Sequence, residues 1–220
     1  MFIGHYSTAL IAATSPRAPR LGTLFVAAQL VDLAFFSFVL LGVEHMRLVP
    51  GITAMNPMDL YEMPWTHSLA GAIGWAAGFA LLLWLWRRNS AAALIGGAVA
   101  LSHWLIDLLV HRPDLTLAGG PPPFGLSLWN HPAIEMPLEL AMAFGALAWF
   151  TARTRGPWIP VTTLAVAMAA FQAFNWFGPE PATIVDPPPP SLAILGLVAY
   201  VLLALLAWWV SRTRALKIGS

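Results

Sequence analysis

Cysteine is absent from this chain and charge is scarce. Without a thiol there is no disulfide, no thiolate nucleophile and no cysteine-ligated zinc to consider. Asp, Glu, Lys and Arg make up 10% of the 220 residues, against roughly 25% in a soluble domain. A net charge of +1 builds no basic field, which excludes nucleic acid as a partner. No Lys or Arg precedes Arg17, so the basic start of a secretory signal is missing. Residues 1–14 are therefore expected to be retained. No low-complexity stretch, internal repeat or shift in composition divides the chain, which reads as a single domain over 1–220.

What the chain has instead is apolar surface. It is 59% hydrophobic with a mean hydropathy of +0.72, the composition of an integral membrane protein. Six segments come close to the ~20 residues a spanning helix needs: 21–43, 64–86, 91–110, 133–152, 158–177 and 192–210. Residues 2–14 are apolar but too short to span, and read as a half or re-entrant helix that is tolerable only if packed against protein. The expected fold is an all-α polytopic bundle of six spanning helices plus this short N-terminal helix.

Basic residues orient the bundle. With the turn at 15–20 in the cytoplasm, that side holds Arg17, Arg20, Arg87, Arg88, Arg153, Arg155, Arg212, Arg214 and Lys217. The opposite side holds only Arg47 and Arg112. None of the ten carboxylates lies in a cytoplasmic loop. This bias places both termini inside. Reporter fusions at Gly120 and Arg153 are expected to register opposite sides, periplasmic and cytoplasmic; the same side for both would sink the six-span topology.

Ionisable residues inside the spans are the functional signal. His103 and Asp107 are four apart, so on a helix they share a face, and His111 continues that face by another turn. The first span carries Asp32, the second His67 near its start, and the fourth Glu135 and Glu139; the short N-terminal segment carries His5. The last span carries no Asp, Glu, His, Lys or Arg. Counting ~1.5 Å per residue from the cytoplasmic end places His5, Asp32, His67, His103, Asp107, Glu135 and Glu139 roughly 15–28 Å deep, in one layer from mid-bilayer to the outer leaflet. Groups at that depth face the bundle interior and pair with one another. Imidazoles and carboxylates in one layer suit a divalent cation, zinc foremost, with manganese or iron able to use the same donors. The alternatives are a metal-free polar network or a proton relay. Glu44 and His45 read as a solvated helix cap. His111, Asp114 and His131 read as a rim or second layer. Gln172 and Asn175 read as interhelical hydrogen-bonding groups. Arg112 reads as a helix cap or a contact for an anionic head group.

These motifs resemble a known family. His5 in GHYSTAL, Asp32 in LVDLAFF, His67 in WTHSLAGA, and His103 with Asp107 in SHWLIDLLVHRPDL resemble the bacterial inner-membrane metal-dependent hydrolases, whose best-known member is LexA-regulated. The likeness covers about the first half of the chain and extends in part to the zinc-dependent phospholipase C group. Members carry a richer Pro-Asp-x-Asp-His run where this chain has Val31-Asp32-Leu33-Ala34-Phe35. The resemblance implies a divalent metal, zinc foremost, and hydrolysis of an ester or phosphoester. On this reading His5, Asp32, His67, His103 and Asp107 hold the metal, and Glu135 or Glu139 serves as general base. The depth of the layer and the open outer loops point to a lipid-like substrate. A second class is a metal-ion or proton-coupled transporter using the same cluster. A third is a purely stabilising network that binds no metal.

Overall fold

A computed structural model describes residues 1–217. Among them the chain is a helical bundle. A 3₁₀ turn, Ile3–His5, leads into α1 (Tyr6–Ala12), followed by α2 (Leu21–Ala28), α3 (Leu30–Leu41), α4 (Leu69–Arg87), α5 (Ser90–Val110), α6 (Pro132–Arg153), α7 (Ile159–Phe177) and α8 (Pro190–Thr213). Five of these, α4 to α8, are long and apolar enough to cross a membrane, and α2 with α3 makes a sixth if the bent pair counts as one span. The protein is a multi-pass membrane bundle.

The expected first span differs in a way that matters. It is not one rod: α2 and α3 meet at Gln29 with a bend of 54°. Gln29 leaves the helical region, and its side-chain amide donates to the Phe2 carbonyl at 3.0 Å. A break of this kind frees backbone carbonyls that an unbroken helix would keep for itself. The second expected span also starts late. Ser68 caps α4 by accepting from the Gly71 N–H, so residues 64–68 form a turn and His67 sits ahead of the helix rather than on it.

The N-terminal segment is short, as its length requires, and survives by being enclosed. Ile3, Tyr6, Ala9 and Leu10 are fully buried in one core with Leu24 and Phe25 of α2, Val99 of α5, and Leu164 and Leu203 beyond. Enclosure by helices on several sides satisfies the demand that backbone at membrane depth be covered by protein.

α4 and α5 pack closely through small residues. A Cβ at Gly97 would lie 3.0 Å from Ala80 Cβ and 3.1 Å from the Ala76 carbonyl, so glycine sets the approach of the two backbones. This contact positions the helix that carries His103 and Asp107.

The two ends of the bundle differ. At the basic end, β3 (Thr154–Arg155) pairs with β4 (Ala215–Leu216), and the Arg214 guanidinium donates to the carbonyls of Thr154, Gly156 and Pro157. At the acidic end, β1 (His45–Leu48) and β2 (Met58–Glu62) form an antiparallel hairpin. Bridges from Leu48 to Val185, Ser68 to Thr116 and Leu115 to Phe124 tie the acidic-end loops into a cover.

Candidate metal centre

Six side chains from four stretches of chain meet beneath that cover. His5 ends the 3₁₀ turn, Asp32 lies in the first turn of α3 just past the break, and His67 precedes α4. His103 and Asp107 lie one turn apart on α5, and His111 caps its C-terminus. They form overlapping groups able to hold a metal ion: His5 with His103 and Asp107; Asp32 with His67 and His103; His67 with Asp107 and His111. All six belong to the bundle interior. Only Asp32, with 15% of its side chain exposed, reaches an edge; its other carboxylate oxygen accepts from the Tyr200 hydroxyl of α8 at 3.0 Å.

Asp107 is the centre of the cluster. Its Oδ2 lies 3.0 Å from His103 Nε2 and 3.7 Å from His67 Nε2. Its Oδ1 lies 3.0 Å from His5 Nε2 and 3.7 Å from His111 Nε2, and 3.3 Å from the Met1 amino group. Asp32 Oδ1 lies 3.4 Å from His67 Nε2 and 3.5 Å from His103 Nε2. The rings of His5 and His103 stack with centroids 3.8 Å apart, an arrangement opposed to both being cationic.

The remaining ring nitrogens decide what the cluster can bind. His103 Nδ1 lies 2.8 Å from the Ala28 carbonyl at the α2/α3 break. A carbonyl only accepts, so this nitrogen carries a proton and Nε2 is the one left to take a cation or a second proton. His111 Nδ1 donates in the same way to Asp114 Oδ1 at 2.9 Å. His67 Nδ1 donates to Thr66 Oγ1 at 2.9 Å, whose hydroxyl donates onward to Glu44 Oε2 at 2.6 Å. Glu44 is fully buried and is fixed by the backbone N–H groups of Trp65 and Thr66 at 2.7 and 2.9 Å. Three imidazoles thus turn Nε2, the nitrogen able to take a cation or a proton, toward carboxylate oxygens. Moreover His5 Nε2, His103 Nε2 and Asp107 Oδ2 are buried without any hydrogen-bond partner, although neighbours lie at 3.0 Å.

Lone pairs facing lone pairs in a buried site repel unless a proton or a metal cation stands between them. The spacings also fit. Donor atoms on a cation at ~2.1 Å are about 3.0 Å apart in an octahedron and about 3.4 Å apart in a tetrahedron. Outer partners that hold each ring in place, here Ala28, Asp114 and the Thr66–Glu44 pair, are the usual accompaniment of histidine ligands.

The two glutamates of α6 take different positions. Glu139 accepts from three donors: Oε1 receives the backbone N–H groups of Phe2 at 2.5 Å and Gly4 at 3.0 Å, and Oε2 receives the Gln172 amide at 2.9 Å. Its geometry is that of a clamp on the segment carrying His5. Glu135, one turn away, is fully buried with neither oxygen partnered. Neither belongs to the three ligand groups.

Other residues depart from their expected places. Glu44 is not a solvated cap but a buried support for His67, whereas His45 is partly exposed and faces Glu62 at 2.9 Å. His111, expected at the rim, lies inside the cluster with Trp129 packed on its ring at 4.3 Å. Arg112 neither caps a helix nor stands free: it pairs with Asp59, lies 3.2 Å from Asp114, and so joins α5 to the hairpin, where Arg47 also holds Asp59 at 2.7 Å. Asn175 and His131 are exposed, while Gln172 bonds across helices. The last span contributes through Tyr200, a residue without a formal charge to mark it. For His111 the signal was visible as a third residue on the His103/Asp107 face. Glu44 and Tyr200 had none, because their partners are distant in sequence.

The Thr66 hydroxyl offers a contained test of the outer partners. Thr66→Val keeps the volume but strands His67 Nδ1–H and Glu44 Oε2. Metal affinity is expected to fall 10- to 100-fold, read by competition with a chelating dye, with Thr66→Ser restoring it. An affinity within twofold of wild type would remove Glu44 from the site.

The fold and the cluster define a multi-pass membrane protein whose buried His/Asp groups can hold a metal ion. A scan against protein-family models and searches of curated proteins and of solved structures find no match to the chain.

Proposed function

We propose that the protein is a membrane-embedded, metal-dependent hydrolase acting on an ester or phosphoester of a lipid-like substrate. The observation that carries the reading is the convergence of unpartnered Nε2 and carboxylate atoms around Asp107. His5, Asp32, His67, His103 and Asp107 would hold the metal, joined by His111. A divalent cation supplies Lewis acidity, polarising a substrate oxygen and making water nucleophilic near neutral pH. Mixed imidazole and carboxylate donors favour zinc, and manganese or iron can use them.

The chain's own contributions follow from placement. Asp32, at the one partly exposed edge, orients whatever enters, and Tyr200 fixes its second oxygen. Glu135, with both oxygens free, accepts the proton released from the attacking water. Glu139 holds the N-terminal segment against the cluster. The basic-end half of the core is filled by Leu24, Phe25, Val99, Leu164 and Leu203. That apolar filling supports the hydrolase reading over transport. The split of basic residues supports an acidic end facing the periplasm, and the resemblance of the GHYSTAL, WTHSL and SHxxxD motifs supports a bacterial inner membrane.

The deciding experiment measures metal content and turnover on a panel of lipid esters and phosphoesters for wild type and Glu135→Gln. Wild type is expected to turn over at least one. Glu135→Gln is expected to keep its metal and lose 10²- to 10⁴-fold in rate. Unchanged turnover would take Glu135 out of the chemistry. A metal-loaded wild type inert on every ester would sink the hydrolase reading.

A further inference from the structure

We propose that the basic end of the bundle carries a site for an anionic phospholipid. Its phosphate lies on Arg17, Arg87 and Arg88, and one of its acyl chains lies in a groove between α1 and α5. The groove has a volume of about 400 Å³ and is lined by Thr8, Ala12 and Ser15 on one side and Ile95, Ala98 and Ser102 on the other. It runs from Ser15, in the turn after α1, to Ser102, about 18 Å along α5 from the start of that helix. That is roughly half of a ~30 Å hydrocarbon core, the depth one leaflet's chain occupies.

The walls suit hydrocarbon although three of them carry hydroxyls. Ser102 Oγ lies 2.9 Å from Thr8 Oγ1 and 2.7 Å from the Val99 carbonyl, and the Thr8 hydroxyl donates to the His5 carbonyl at 3.1 Å. The Ser15 hydroxyl meets the Arg17 backbone N–H at 3.4 Å. Hydroxyls engaged within the protein can border an acyl chain without stranding a polar group. Ala98 is exposed, so the groove opens on the lipid-facing side of α5.

The mouth is basic. Arg17 lies two residues past Ser15. Arg87 ends α4 and Arg88 caps it, just before α5 begins at Ser90. Their guanidinium groups lie 5.4 and 5.1 Å over the rings of Trp86 and Trp84, and all three arginines are exposed. Among the described residues, none of the nine basic side chains at this end pairs with a carboxylate, whereas Arg47 and Arg112 at the acidic end both hold Asp59. A guanidinium stacked on a ring keeps its N–H edge for a phosphate oxygen. Unpaired arginines above an apolar groove complement a negative head group carried on hydrocarbon.

The test is native mass spectrometry of the full chain in detergent, titrated with dioleoyl phosphatidylglycerol or dioleoyl phosphatidylcholine, with glycerol phosphate as a soluble competitor. Wild type is expected to hold one phosphatidylglycerol about tenfold or more tighter than phosphatidylcholine, and glycerol phosphate is expected not to displace it. Arg17→Gln, and Arg87→Gln with Arg88→Gln, are expected to weaken phosphatidylglycerol about fivefold per arginine removed. Ala98→Phe, which sets a ring into the groove from an exposed position, is expected to weaken both lipids and keep the preference between them. Equal affinity of wild type for the two lipids overturns the proposal. Displacement by glycerol phosphate gives the arginines to a soluble anion and overturns the lipid. A preference that survives all three arginine substitutions, or full affinity in Ala98→Phe, moves the lipid elsewhere and overturns this site. The wild-type preference and the competition decide even if a variant does not fold.

Discussion

Asp107→Asn is expected to leave the protein folded and essentially free of metal. The carboxylate is the one group that four imidazoles share, at 3.0 to 3.7 Å. Asparagine keeps the shape and one acceptor oxygen. It replaces the other oxygen with an NH₂ that can only donate and cannot coordinate a cation. The amide therefore fits the cavity while removing the negative charge and half the donor set. Loss of a direct ligand should cost more than the 10- to 100-fold typical of outer partners, so affinity is expected to fall by well over 10². Two measurements check this. Elemental analysis should find metal in wild type and little in Asp107→Asn. Added Zn²⁺ should raise the melting temperature of wild type, by the equivalent of ~4 kcal/mol at a thousandfold excess over Kd, and leave the variant unmoved. His45→Ala, at the partly exposed pair with Glu62, should behave as wild type. An Asp107→Asn protein with wild-type metal content would refute the assignment of this cluster as a metal centre.

The second large effect lies at Glu139 and is one of stability. Glu139→Ala would strand the buried N–H groups of Phe2 and Gly4 and one N–H of Gln172. Each unsatisfied buried donor costs about 1–3 kcal/mol, so the melting temperature is expected to drop on the order of 10 °C. Metal content should fall with it, because the segment released is the one bearing His5. Glu139→Gln should fall between the two. It keeps Oε1 for Phe2 and Gly4 but sets an NH₂ against the Gln172 amide, which cannot turn over without giving up its own bond from the Ile3 N–H at 3.3 Å. Thermal melts in detergent with parallel metal analysis separate the roles. A Glu139→Ala protein that melts like wild type and loses only activity would return this residue to the chemistry.

That pair of results bears on how far a residue's role can be read from its spacing. Glu135 and Glu139 are four apart and share a face of α6, and spacing says no more about them. What separates them is the chain that arrives from 135 residues away to occupy one and not the other. His103, Asp107 and His111 are the opposite case. Their common face follows from the pitch of a helix, and the membrane setting makes a buried imidazole next to a buried carboxylate stand out before any fold is known.

The sequence by itself determined the class of protein and the layer in which its polar side chains would lie. Hydrophobic length, the scarcity of charge and a rise of ~1.5 Å per residue are local properties, and they hold whatever the helices pack against. Only the tertiary structure decided which lone pairs meet. The bend at Gln29 frees the Ala28 carbonyl that sets the tautomer of His103. The turn before α4 brings Glu44 behind Thr66 and His67, and α8 supplies Tyr200 to Asp32. Each of these bonds joins residues remote in the chain, through backbone groups or uncharged side chains that no pattern marks. They form because a buried donor or acceptor in a membrane bundle has no water to turn to and must find its partner in whichever helix lies alongside.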